Sequence, residues 1–104
     1  MSKFTAEYRV DNRTFSLDIE AEGWQEAEFK LEALRDNGYF VEKDVIEYQL
    51  DSFVYRARCR HFETEEEARR HLAIIKFHSR ITGEVVFRTK VPNFFAGLIS
   101  KRID

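Results

Sequence analysis

One cysteine, one proline and four glycines in 104 residues leave this chain little punctuation and no covalent staple. Cys59 stands alone, so no disulfide can close within the chain, and that usage suits a reducing compartment. Pro92 is the only proline and no Pro-, Gly- or Ser-rich stretch interrupts the sequence, so residues 1–104 read as a single domain. No apolar run approaches the roughly 20 residues that span a bilayer. No basic-then-apolar leader opens the sequence either, and the expectation is a cytoplasmic protein without membrane association.

Catalytic punctuation is equally scarce. His61, His71 and His78 lack a companion ligand at four-residue spacing, and with Cys59 isolated no metal site is expected. There is no phosphate-cradling glycine loop and no nucleophile elbow. The plentiful Asp and Glu residues fall on helix faces and outward strand positions, not in a pocket that would shift a pKa. The expectation is a protein that is not an enzyme and carries no cofactor.

What the chain does have is aromatic bulk and charge. Ten Phe and four Tyr supply ample burial for a core beneath a skin in which 35% of residues are charged, so the chain is folded rather than disordered. The net charge of −2 hides an asymmetry. Residues 1–52 carry 6 Lys/Arg against 13 Asp/Glu, whereas residues 53–104 carry 11 against 6. The acidic half 1–52, the basic stretch 53–91 and an apolar tail 92–104 either neutralise one another or form a polarised surface.

Period-two alternation marks the strands. Residues 3–10 place Phe4, Ala6, Tyr8 and Val10 on one side, and residues 13–21 do the same with Phe15, Leu17, Ile19 and Ala21. Asp11-Asn12 between them tolerates left-handed backbone, which predicts a hairpin with Tyr8 opposite Phe15 and Lys3 opposite Glu20. Residues 45–50 and 53–60 form a second hairpin through Asp51-Ser52, pairing Tyr48 with Tyr55 and Glu47 with Arg56. In it Phe53, Tyr55, Ala57 and Cys59 turn inward, and Val54, Arg56, Arg58 and Arg60 turn out.

Helical spacing marks residues 24–37, closed by Gly38, with Trp24, Ala27, Leu31 and Leu34 on the apolar stripe and Phe29 on the opposite side. Thr64-Glu-Glu-Glu67 is a capping box that starts a second helix running to about Arg80 and burying Ala68, Leu72 and Ile75. Thr82-Gly83 predicts a turn and residues 84–91 a last strand, with Arg88 and Lys90 outward. A short C-terminal helical turn, Phe94 to Ile99, packs on the domain, or else joins two copies or a partner.

The order β-β-α-β-β-α-β predicts an α+β two-layer sandwich: a mostly antiparallel five-stranded sheet with two helices on one face, ferredoxin-like. In that arrangement the strand before the first helix already has two neighbours. The N-terminal hairpin therefore requires an altered strand order, and both possibilities stand.

Two surfaces are candidates for partner binding. Arg56, Arg58, Arg60, Arg88 and Lys90 would make a basic sheet face suited to phosphates or an acidic protein, against a background of Glu7, Asp18, Glu20 and Glu47. That face lacks aromatic platforms for bases. Glu26, Glu28, Phe29, Glu32 and Asp36 would make the first helix a carboxylate surface for a basic groove, or simply a solvated face.

The segment Ala21-Glu-Gly-Trp-Gln-Glu-Ala-Glu-Phe-Lys-Leu-Glu-Ala-Leu-Arg-Asp-Asn-Gly38 resembles the helix of small proteins from bacterial mobile elements and phages. There a similar Trp-x-Glu-Ala-Glu opening follows a short hairpin. The resemblance implies a phage accessory protein that binds and inhibits host machinery, and anti-CRISPR proteins are similar in size and charge density. The leading expectation is a binding protein acting on a larger protein or ribonucleoprotein complex. The alternatives are an RNA or single-stranded DNA binder and a homodimer joined through the tail.

Overall fold

A computed structural model describes residues 2–85. Its elements are β1 (Ser2–Val10), β2 (Arg13–Ala21), α1 (Trp24–Asn37), β3 (Tyr39–Glu42), β4 (Val45–Leu50), β5 (Phe53–Cys59), α2 (Glu65–His78) and β6 (Arg80–Val85). The six strands form one antiparallel sheet in the order β3-β4-β5-β2-β1-β6.

Both hairpins take the register their side chains require. Asp11 and Asn12 sit at φ 52° and 67°, the left-handed pair that matches strand twist, and Tyr8 faces Phe15, Ala6 faces Leu17 and Lys3 faces Glu20. Across the second hairpin Leu50 faces Phe53, Tyr48 faces Tyr55 and Glu47 faces Arg56. A slip of one residue would carry Phe4, Tyr8, Ile19 and Tyr48 to the wrong side of the sheet.

All but Phe4 line one buried layer with Leu31 and Leu34 of α1 and Ala68 and Ile75 of α2, and Phe4 packs with Ala21 and Ala27 in a smaller cluster that meets the first at Ile81. Both helices cross the strands. α1 begins beside β1, where Trp24 meets Phe4 edge-on at 5.6 Å, and ends at β4, where the Asn37 amide bonds both the N–H and the C=O of Gln49. α2 starts next to the β3–β4 turn, where Lys43 donates to Glu63 O, and returns over β1 to deliver the chain to β6. Its start carries the expected Thr64 cap, with Thr64 Oγ1 accepting from Glu67 N–H, while the Glu67 carboxylate accepts from Glu63 N–H, one residue before the cap.

Gly38 ends α1 for a steric reason. Its N–H bonds Leu34 O at 2.7 Å, and a Cβ there would sit 2.4 Å from that same oxygen.

Four expectations need correction. The sheet has six strands, not five, because Tyr39–Glu42 pairs with β4 as an edge strand too short to show a period. The ferredoxin-like order does not hold: β1 lies between β2 and β6, so the strand before α1 and the last strand are not neighbours. β6 begins at Arg80, directly after Ser79 ends α2, and Thr82-Gly83 lies inside it at a bulge against Thr5 and Ala6 instead of forming a turn. Trp24 and Phe53, expected inside, are 47% and 64% exposed, the one at the first residue of α1 and the other at a hairpin tip. The expected positions of Arg88, Lys90, the end of the last strand and the C-terminal turn lie outside the described residues.

Candidate functional site

Among the described residues the expected arginine face keeps Arg56 and Arg58 and loses Arg60. Arg56 and Arg58 share the helix-free side of the sheet, but each is paired, Arg56 with Glu47 at 3.0 Å and Arg58 with Asp44 at 3.4 Å. Arg60 leaves them. β5 ends at Cys59, whose N–H bonds Asp44 O, and the chain turns so that Phe62 N–H reaches Lys43 O. That turn carries the Arg60 guanidinium over the rings of Phe15 and Phe62, 5.4 and 5.3 Å away, and beside Glu67 at 3.5 Å. Three positive charges in sequence thus become three separate ion pairs. Lys3–Asp18 adds a fourth pair on the helix-free face.

The first helix gives the opposite result. Glu28, Phe29, Glu32 and Asp36 are all exposed, and their spacing puts them along one stripe opposite the buried Ala27, Leu31 and Leu34. Glu28, Glu32 and Asp36 recur every four residues, about 6 Å apart along the axis. Like charges at that spacing repel. Among the described residues none of the three has a cation within ion-pair distance. Phe29 stands among them, 57% exposed.

Glu26 belongs to the scaffold. It accepts from Glu22 N–H at 2.7 Å, fixing the helix start in place of a cap side chain that Gly23 cannot supply, and lies 3.7 Å from Lys30 Nζ.

Of two buried polar side chains, the sequence singled out His71 only as a histidine lacking a companion ligand, and did not mark Lys30 as buried. Lys30 is 3% exposed: its ammonium donates to Glu20 O at 2.8 Å and rests 4.1 Å over the Tyr55 ring. Only its place one residue outside the apolar stripe hinted at this. His71 is 4% exposed, edge-on to Phe15 at 4.8 Å and beside Phe62 at 4.6 Å, with Nδ1 2.8 Å from the Tyr8 hydroxyl. Burial lowers the His71 pKa, and the Arg60 charge adds to that effect. Burial also raises the Tyr8 hydroxyl and pushes the Cys59 thiol up to about 12, so Cys59 is a packing residue without thiolate character at neutral pH.

Among the described residues no group of three or more His, Cys, Asp or Glu side chains stands together to hold a metal ion, and no helix is long and apolar enough to cross a membrane. Compared with protein-family models, curated proteins and solved structures, the chain matches none of them.

Proposed function

We propose that this protein is a non-enzymatic binding protein that docks the exposed face of α1 onto a basic surface of a larger assembly. The observation that carries the reading is the stripe Glu28, Phe29, Glu32, Asp36. Its carboxylates stand at a spacing at which like charges repel, with no cation within ion-pair distance among the described residues, while its aromatic ring is exposed. Charge complementarity would steer a cationic partner to the stripe, and Phe29 would supply the desolvated anchor at its centre.

Carboxylates in a row on a rigid rod suit a groove otherwise occupied by a phosphate backbone. The partner is therefore a protein or ribonucleoprotein complex that handles nucleic acid, and the effect is inhibition by occupancy. The alternative of direct nucleic-acid binding through the sheet has less to draw on, since Arg60 leaves the face shared by Arg56 and Arg58 and each of the three has a carboxylate beside it.

The test is affinity capture from lysate with the wild-type chain, with Glu28→Lys/Glu32→Lys, and with Arg56→Glu on the helix-free face. The reading expects a salt-sensitive partner that the wild type and Arg56→Glu retain and the α1 variant loses. A partner retained equally by all three would contradict it.

A further inference from the structure

β3 covers the edge of β4 only as far as the rung of Tyr39 with Glu47, and continuing that antiparallel register puts residue 37 opposite Gln49. Residue 37 is the last of α1, so its main chain belongs to the helix. The Asn37 side chain makes the rung instead: Nδ2 donates to Gln49 O at 2.9 Å and Oδ1 accepts from Gln49 N–H at 2.6 Å. A carboxamide can stand in for a main-chain peptide group because it carries both a donor and an acceptor. A carboxylate has no donor to offer.

Asn37 is also the one asparagine of three that precedes glycine, since Asn12 is followed by Arg13 and Asn93 by Phe94. A glycine nitrogen, free of a neighbouring side chain, closes most readily on the preceding carboxamide carbon, which is the step that begins deamidation. The fold opposes that step at both reacting groups. Gly38 N–H is donated to Leu34 O at 2.7 Å, and the Asn37 carboxamide is held at both its polar atoms by Gln49. Asn37 is nonetheless exposed, so water reaches it whenever the clip opens.

We propose that Asn37–Gly38 is a spontaneous modification site guarded by this clip, and that its conversion detaches the end of α1 from β4. Gly38 N forms a bond to Asn37 Cγ, and the carboxamide nitrogen leaves as ammonia with the Gly38 proton. One water then opens the cyclic imide. Breaking the new N–Cγ bond leaves aspartate at position 37. Breaking the original peptide bond leaves isoaspartate, whose main chain runs through the former side chain and is one carbon longer.

Neither product can close the clip again. Aspartate sets an oxygen against Gln49 O where an N–H donor stood, and isoaspartate lengthens the chain immediately before β3. Both add a negative charge beside Asp36 at the C-terminal end of a helix, where the dipole disfavours it.

Peptide mass mapping of the full chain follows the conversion at one pH and temperature. The samples are folded wild type, wild type unfolded in guanidinium chloride, and Gln49→Pro, which deletes the N–H that the clip uses. Asn37 is expected to convert in all three, about tenfold or more slowly in the folded wild type than in the unfolded chain, with Gln49→Pro in between and Asn12 and Asn93 lagging throughout. Folded wild type converting as fast as the unfolded chain, or not converting while the unfolded chain is consumed, would overturn the guarded site. A folded Gln49→Pro as slow as the wild type would overturn the clip as its guard. Asn37→Asp reads the detachment without relying on Gln49→Pro. It should unfold at a lower denaturant midpoint than the wild type, and an unchanged midpoint would overturn the latch.

Discussion

His71 and Tyr8 show how a single pair ties the helix layer to the sheet. The imidazole is buried among Phe15, Phe62 and Tyr8 and is kept neutral by its surroundings. Its folded pKa lies below the ordinary 6.5, so the unfolded chain takes up a proton before the folded one does. The contribution of this residue to stability is therefore complete above about pH 6.5 and is lost as the pH falls from there through the folded value. Urea unfolding at pH 7.5 and pH 5.5 should show that loss, and His71→Phe should flatten part of it. Tyr8→Phe removes the hydroxyl and leaves Nδ1 unpaired, which should cost about 1–3 kcal/mol in the same assay. Gly38 carries a different constraint. With Leu34 O lying 2.4 Å from where a Cβ would be, Gly38→Ala forces the backbone apart and should lower stability by about 1–3 kcal/mol, read from the denaturation midpoint.

At the scale of the elements, α1 is where propensity and arrangement conflict. Glu28, Glu32 and Asp36 repel one another along the helix, so Glu32→Lys should create favourable pairs with both neighbours. Thermal unfolding should show the variant unchanged or stabilised by up to about 1 kcal/mol. The helix itself was legible in the sequence, from Trp24 to Asn37 with its Gly38 stop, because a 14-residue amphipathic period admits no other reading. Both hairpins were equally legible, because Asp11-Asn12 and Asp51-Ser52 pin a register that the flanking alternation confirms on two faces. β3 was not: four residues after a helix carry too little pattern, and only the open edge of β4 makes Tyr39–Glu42 a strand. Arg60 was misplaced because alternation says nothing about where a strand stops. Pairing with β2 ends at Leu17–Cys59, and one residue later the side chain points to the other layer. The burial of Lys30 and the partner of His71 were not legible for a related reason. A long or ring-shaped polar side chain at the edge of an apolar stripe is buried only if a particular hydrogen-bond partner lies across from it, and Glu20 O and the Tyr8 hydroxyl are brought there by the sheet.

Over the whole molecule the charges separate by location rather than by half of the chain. The basic residues 56, 58 and 60 each have a carboxylate beside them in Glu47, Asp44 and Glu67, whereas the acidic stripe of α1 has no cation within ion-pair distance among the described residues. Two helices crossing one sheet also share a main buried layer, joined through Ile81 to the smaller cluster of Phe4, Ala21 and Ala27, so far-UV and near-UV circular dichroism should report one coincident thermal transition. Because α1 contributes Leu31 and Leu34 to that layer while its acidic face stays outside it, binding and stability can be separated in one variant. Glu32→Lys combined with Phe29→Ala provides the most direct test, with thermal unfolding and partner capture measured on the same sample. The account expects a protein at least as well folded as the wild type that no longer retains its partner. A variant equally stable and equally well bound to that partner would contradict it.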